Sequence, residues 1–260
     1  MKQITSAENS AVKLLKKLSK KKFRQESGLF IVEGLRACSL AVESPFDIDS
    51  FYLSESFLAD NKSTNAFWEQ FPCSVMPDKI FNSCSDTETP QGILCTAKIP
   101  ERAFELNKNC YVYLDNVRDP GNIGTIIRTA DALGFDGVLL SEGCADLYSP
   151  KVVRSTMGSV FALEIVCDCN VSLLSDMKKQ GYKILASALS DNCADLYRAQ
   201  WNDKLVFVLG NEANGISDEV LSVSDIAVKI PMYGSAESFN VSVAAALLMG
   251  EAARRKYEKR

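Results

Sequence analysis

Apolar residues fall into two patterns along the chain: short continuous runs, and longer stretches in which they recur at every third or fourth position. The first pattern marks buried strands and the second amphipathic helices. Over the N-terminal part this predicts a basic helix from Ser10 to Lys21, a strand from Leu29 to Val32, a helix from Gly34 to Val42 and a strand from Phe51 to Leu53. A short strand at Cys73 to Met76, a helix near Asp78 to Asn82 and a strand at Ile93 to Ala97 follow. Pro100 and the mixed-charge segment PERAFELNKN then interrupt the apolar rhythm, so residues 99–108 read as a linker between a domain at 1–98 and another at 109–260. In the second domain, strands at Cys110 to Val117, Gly137 to Leu140, Leu163 to Val166, Lys183 to Ala186, Leu205 to Leu209 and Ile226 to Ile230 alternate with helices. This is the pattern of an α/β fold with a mainly parallel sheet covered on both faces, beside a smaller N-terminal α/β domain.

Composition narrows the chemistry. With 260 residues, 47% of them apolar, the chain can bury two cores, and it contains no apolar run of about 18 residues that would span a membrane. The N-terminus MKQITSAENS has no apolar signal core, which predicts a cytoplasmic protein. Nine cysteines show no CxxC pair and there is no histidine, so the expectation is buried or semi-exposed free thiols and no metal site. The missing histidine also removes Ser-His-Asp and Cys-His nucleophiles and histidine base catalysis. Net charge is −4, yet Lys13, Lys16, Lys17, Lys20, Lys21, Lys22 and Arg24 form an acid-free run, and Arg254, Arg255, Lys256, Lys259 and Arg260 crowd the C-terminus. Clusters of this kind neutralise phosphates locally whatever the overall sign, although they also suit a solvated helix face.

Three strand-to-helix turns carry candidate chemistry. In LDNVRDPGNIGTIIRTADALGF a helix expected to begin near Ile123 places Ile123, Ile126, Ile127, Ala130 and Leu133 on one stripe. Gly124, Arg128 and Asp131 then share the opposite side, with Asn122 well typed as the helix cap. In VFVLGNEANGIS, Gly210 gives a side-chain-free bend, Glu212 follows within the loop, and Asn214-Gly215 reads as a tight turn. In IPMYGSAESFNVSVAAALLMGEA, Ser238 and Asn240 flank Phe239 at the start of the last helix, where both can cap. Taken singly, each turn also fits an ordinary open α/β sheet. The first turn lacks the G-x-G-x-x-G spacing of a dinucleotide site, which argues against a nicotinamide-dependent enzyme.

Together and in this order, the segments N-x-G-x-x-x-R, G-x-E-x-x-G and S-x-N-V-S-x-A resemble the motifs of SpoU/TrmH-type RNA ribose 2′-O-methyltransferases of the SPOUT superfamily. More loosely, FIVEGLRACSLAVES and TPQGILCTAKIP are similar to that family's substrate-binding domain. The resemblance implies a trefoil-knotted, SPOUT-like sheet, S-adenosyl-L-methionine as cofactor, and a homodimer built through the C-terminal domain. It implies catalytic roles for Asn122, Arg128, Glu212, Ser238 and Asn240, and a cofactor pocket walled by Leu209, Gly210, Ile230, Met232 and Phe239. Phe239 departs from the leucine expected at its position. The segment SPKVVRSTMGSVF is also family-like, and with it Lys151 and Arg154 join Arg128 as RNA contacts. The resemblance implies structured RNA as substrate, with ribosomal RNA ahead of transfer RNA because a domain of the N-terminal type accompanies ribosomal targets. A non-catalytic RNA-binding or ribosome-assembly protein is the rival from another class. The family's arginine is proposed as the base, but a guanidinium with a pKa above about 12 accepts protons poorly. A grip on the phosphate beside the target nucleotide suits Arg128 better.

Overall fold

The computed structural model describes residues 1–61, 66–101, 106, 108–189 and 192–258. Much of the linker expected at 99–108, and the C-terminal Lys259 and Arg260, lie outside the described residues. Two compact units divide the chain: Met1–Arg102 with Asp146–Phe161, and Ala103–Ala145 with Ala162–Arg260.

The first unit begins with β1 (Lys2–Gln3), α1 (Ser10–Lys17), α2 (Lys21–Ser27), β2 (Leu29–Glu33), α3 (Leu35–Glu43) and β3 (Ile48–Ser54). It continues with α4 (Glu55–Asp60), β4 (Cys73–Met76), α5 (Asp78–Asn82) and β5 (Ile93–Lys98). Its sheet runs β1-β4-β3-β5-β2, with β5 antiparallel to both neighbours. Val12, Leu15 and Leu18 from the first helical segment close one core against Ile31, Tyr52 and Leu94 of the sheet.

The single basic helix expected over Ser10 to Lys21 is two helices. Leu18 caps the first, and Lys20 takes an extended backbone (φ −104°, ψ 134°) before the second. The physical reason is Arg24. Its guanidinium donates to the Leu18 carbonyl at 2.6 Å and pairs with Asp146 at 2.6 Å, and it is only 3% exposed. Arg24 therefore caps the end of α1 and is not available to a phosphate, unlike the exposed lysines around it.

The second unit opens with β6 (Cys110–Leu114), α6 (Pro120–Ala132) and β7 (Gly137–Ser141). After α7 (Pro150–Ser155), which groups with the first unit, it resumes with β8 (Glu164–Cys169), α8 (Val171–Lys179), β9 (Lys183–Ser187) and β10 (Ala194–Asp195). It ends with β11 (Leu205–Leu209), α9 (Asp218–Val223), β12 (Ile226–Lys229) and α10 (Val241–Glu258). The strand order is β10-β12-β9-β11-β6-β7-β8, and every pair is parallel, as the unbroken apolar runs predict. Strand β6 stops at Leu114 rather than Val117, because Asp115 turns its carboxylate to the Ser217 N–H (2.7 Å) and Asn116 adopts a left-handed φ of 57°. From β6 the chain moves to β7 on one side, while β11 lies on the other. The crevice beyond the carboxyl ends of β6 and β11 is thus a topological switch point, where open α/β sheets place their ligands.

Helix α10 packs on α6, whose Ile123, Ile126, Ile127 and Ala130 are buried as expected. Gly124 is buried with them instead of sharing the open side with Arg128. No helix among the described residues is long and apolar enough to cross a membrane. Cys167 is exposed, in contrast to the expectation of buried or semi-exposed thiols throughout. Burial pushes the Cys169 thiol up to about 12 and the Cys110 thiol up to about 11. In the native protein at neutral pH, a thiol-reactive reagent is expected to label Cys167 before the other eight cysteines, with Cys110 and Cys169 reacting only on unfolding. Peptide mapping by mass spectrometry over a labelling time course checks this order.

Candidate active site

Helix α6 starts three residues earlier than its apolar stripe suggests, with Pro120 in its first turn and Asp119 as the cap, accepting from the Asn122 N–H at 2.8 Å. Asn122 is therefore not the cap, and its side chain is freed for other partners. Its amide nitrogen donates to Glu212 Oε1 at 2.8 Å, and its amide oxygen accepts from Asn240 Nδ2 at 3.1 Å. Asn240 does cap, as expected for its type: its oxygen accepts from the Ser242 N–H at 2.8 Å and the Ser242 hydroxyl at 2.6 Å at the head of α10. One side-chain chain thus ties together the loops that follow β6, β11 and β12.

The loop after β11 has its own bracing. Asn211 and Gly215 exchange backbone hydrogen bonds at 2.9 Å, and the left-handed Gly215 (φ 70°) confirms the tight turn. The Asn211 amide donates to the Asn116 carbonyl at 2.9 Å, a second tie between the first two loops. A Cβ on Gly210 would lie 2.1 Å from the Gly215 carbonyl carbon, so this bend admits only glycine.

The other candidates stand outside this cluster. Arg128 is exposed and makes no hydrogen bond or ion pair among the described residues, so the surface pairing with Asp131 is absent and the guanidinium is open to an anion. Ser238 is exposed in the loop leading to α10. Leu209 and Ile230 are buried at the ends of β11 and beyond β12, Met232 is half-buried, and Phe239 keeps 40% of its surface exposed. Lys151 and Arg154 lie on α7 in the first unit, the latter 3.3 Å from Asp86. Sequence reasoning missed the bracing residues Asp115, Asn116, Asp119 and Asn211. The D-P step before α6 signals the cap at Asp119, but the tertiary partners of the others have no local signature.

The residues fit a nucleoside-bearing cofactor. Between Pro231 and Phe239 no backbone group is hydrogen-bonded to another described residue, and Tyr233 and Phe239 present apolar surface there. Strands β11 and β12 flank β9, so the two carboxyl ends lie two strand spacings, about 10 Å, apart. Open backbone donors and acceptors beside aromatic surface are what an adenosyl group needs in order to be held.

Residues 109–250 match the family described as SpoU rRNA Methylase, and residues 9–95 match the MRM3-like substrate binding domain. The chain belongs to the SpoU rRNA methylase family. Among its relatives, the 23S rRNA (guanosine(2553)-2′-O)-methyltransferase RlmP of Bacillus subtilis is 34% identical over 96% of this chain and 98% of its own. The tRNA (guanosine(18)-2′-O)-methyltransferase of Aquifex aeolicus is 33% identical over 58% of this chain and 72% of its own. The crystal structure of an AdoMet-bound rRNA methyltransferase from Sinorhizobium meliloti superimposes with a TM-score of 0.86 at 28% identity, covering 98% of both chains.

In this SpoU family member, Asn122→Asp sets a second carboxylate against Glu212 where an amide hydrogen bond of 2.8 Å stood. Two facing carboxylates raise each other's pKa, so the variant's loops are held best at low pH, where one is protonated, and released as pH rises through the coupled titration. Hydrogen–deuterium exchange in residues 211–217 and 231–240 is expected to be faster than in the parent at about pH 8, with the difference shrinking towards about pH 5. An exchange rate equal to the parent's at both pH values contradicts the bracing role.

Proposed function

We propose that this protein transfers the methyl group of S-adenosylmethionine to a ribose 2′-oxygen of ribosomal RNA. The observation that carries this reading is the junction of three loops at Asn122, which assembles the three SpoU motifs at the switch point of the parallel sheet. Ribosomal RNA is favoured over transfer RNA because the ribosomal relative aligns along the whole chain, whereas the transfer-RNA relative aligns with little more than half of it. A non-catalytic role fits poorly with Glu212, Asn122 and Asn240 held together by their side chains and Arg128 left unpaired.

When bound, the cofactor supplies an electrophilic sulfonium methyl. Gly210, Ile230, Met232 and Phe239 would hold the adenosyl end, with the loop backbone available to satisfy its polar edge. Arg128 grips the phosphate next to the target nucleotide and turns the ribose hydroxyl towards the methyl carbon. The Asn122–Glu212–Asn240 chain keeps the wall of the pocket fixed, and the exposed Ser238 contacts the ribose. With the cofactor bound, the ribose 2′-oxygen held by these residues would be the acceptor of the methyl group, and its hydroxyl proton would leave to water. Orientation of this sort contributes up to about 7–11 kcal/mol without any base of matched pKa. The same reading takes the sheet to be trefoil-knotted, the protein to be cytoplasmic, and α10 to face a second copy, supported by the exposed Val243 and the small Ala244 and Ala246 beside it.

Arg128→Ala is expected to lower methyl transfer by at least about 100-fold while S-adenosylmethionine affinity, measured by calorimetry, stays within about twofold. Full turnover in that variant rejects the phosphate grip. Cutting the chain before Asn109 is a poor test of RNA docking, since it strips Asp146–Phe161 of the residues it packs against, among them Arg24. Exposed Lys16, Lys20 and Lys21, which have no acidic partner among the described residues, give a cleaner one. Changing all three to alanine is expected to weaken RNA binding at low salt and to reduce the slope of log affinity against log salt by about 2–3. An unchanged slope shows that these lysines do not meet the RNA backbone.

A further inference from the structure

Arg118 lies on the loop between β6 and α6, four residues before Asn122, and is exposed. That loop is fastened to the loop after β11 at both ends. The Asn116 carbonyl accepts from the Asn211 amide at 2.9 Å, and the Asn122 amide donates to Glu212 at 2.8 Å. Arg118 therefore stands at the mouth of the three-loop junction. The backbone on either side of it is fixed as well. Val117 is fully buried and its carbonyl accepts from the Ala145 N–H at 3.0 Å, while Asp119 caps α6.

The side chain is held too, and by a neutral partner. Its Nε donates to Asn116 Oδ1 at 3.1 Å. Asn116 is itself set in place, with a left-handed φ of 57° and its N–H donating to Ser141 Oγ at 2.8 Å. Gly143, at φ 90°, leaves room for that side chain, since a Cβ there would lie 2.7 Å from Asn116 Oδ1. An amide oxygen orients a guanidinium without cancelling its charge, whereas a carboxylate does both. Arg254 and Arg255 of the same unit are neutralised in the second way, by Glu251. Arg118 forms no ion pair among the described residues, although the acids Asp119 and Glu142 lie on its own loop and on the loop after β7. Only its Nε–H is used, so both terminal nitrogens keep the donors that grip a phosphate. The end of α6 is itself a poor anion site, because the Asp119 carboxylate takes the Asn122 N–H and Pro120 has no N–H to offer.

At 1.5 Å per residue, Arg128 stands about 12 Å along the helix axis from Pro120. With its Nε bound two residues upstream, the Arg118 fork stays at the near end of α6, so the two arginines meet different phosphates. We infer that Arg118 takes a second phosphate of the RNA strand, on the other side of the methylated nucleotide from the phosphate at Arg128, and that Asn116 positions it. The inference rests on the proposed RNA substrate and adds to it a residue that binds RNA without aligning the reacting oxygen.

The test uses the full chain and a radiolabelled, unmethylated ribosomal RNA transcript. Filter binding over a salt series gives the slope of log affinity against log salt. Arg118→Gln is expected to reduce that slope by about 0.7–0.9, the value of one phosphate contact. In methyl-transfer assays the same variant is expected to raise KM for RNA at least about fivefold with kcat within about twofold, the pattern of lost uniform binding. Asn116→Asp keeps the shape of the side chain but sets a carboxylate against Nε, and is expected to reduce the slope by a similar amount because the cation is neutralised in place. A purely structural link between the two residues predicts the opposite, since a carboxylate strengthens the link and leaves the slope unmoved. Arg118→Lys retains the charge and is expected to keep the slope within about 0.3 of the parent's. An unchanged slope in both Arg118→Gln and Asn116→Asp overturns the contact. A loss of S-adenosylmethionine affinity beyond about tenfold in Arg118→Gln, measured by calorimetry, also overturns it, because the cofactor's own carboxylate is then the occupant. Reduced slopes in the variants of a parent that transfers no methyl group remove the methyltransferase reading and leave this contact standing. Normal transfer with unchanged slopes removes this contact alone.

Discussion

The side chain of Asn122 uses both ends of its amide at once, and the architecture of the site follows from that. A parallel sheet delivers three loops to one edge but does not fix their spacing, since each leaves a different strand and can move with its own turn. Glu212 on one side of Asn122 and Asn240 on the other remove that freedom at 2.8 and 3.1 Å. Each bond alone contributes about 1 kcal/mol. Their combined effect is geometric, because the same Asn240 that reaches Asn122 also caps α10 and so couples the loop after β12 to the helix behind it.

This arrangement explains a protein without a histidine carrying out group transfer. The leaving group is already activated by its positive charge, and an oxygen nucleophile held in line needs placement more than it needs deprotonation in advance. The residues brought together are accordingly amides and a carboxylate that brace one another. Arg128 stands apart from them, exposed and without a hydrogen bond or ion pair among the described residues.

The parallel sheet was legible in the sequence because buried strands such as LVFVL and CYVYL leave continuous apolar runs. Errors arose where a local pattern was overruled by a distant partner. Val117 extends the apolar run of β6 and is fully buried, yet the chain has already turned at Asn116. The lysine-rich stretch reads as one helix because nothing nearby announces that Arg24 will fold inward to meet Asp146, 122 residues later. At the site, residue types and order pointed to the chemistry only through resemblance to a family. Composition gave no hint that Asn122 bridges two loops, and the apolar stripe placed the start of α6 too late by ignoring the Asp119-Pro120 step. The grouping of Asp146–Phe161 with the first unit is likewise a tertiary fact without a local signal.

The net charge of −4 hides a set of exposed lysines at the start of the chain, while Asn122, Glu212 and Asn240 meet at the edge of the second sheet. We propose that the three loops joined at Asn122 form one receptacle for a methyl donor. A crystal structure of the protein with S-adenosylmethionine bound tests it most directly. The adenosyl group is expected against Gly210, Ile230 and Phe239, with its sulfonium methyl turned towards the side reached by Arg128. A donor bound elsewhere, or bound with the Asn122–Glu212 and Asn122–Asn240 hydrogen bonds broken, contradicts it.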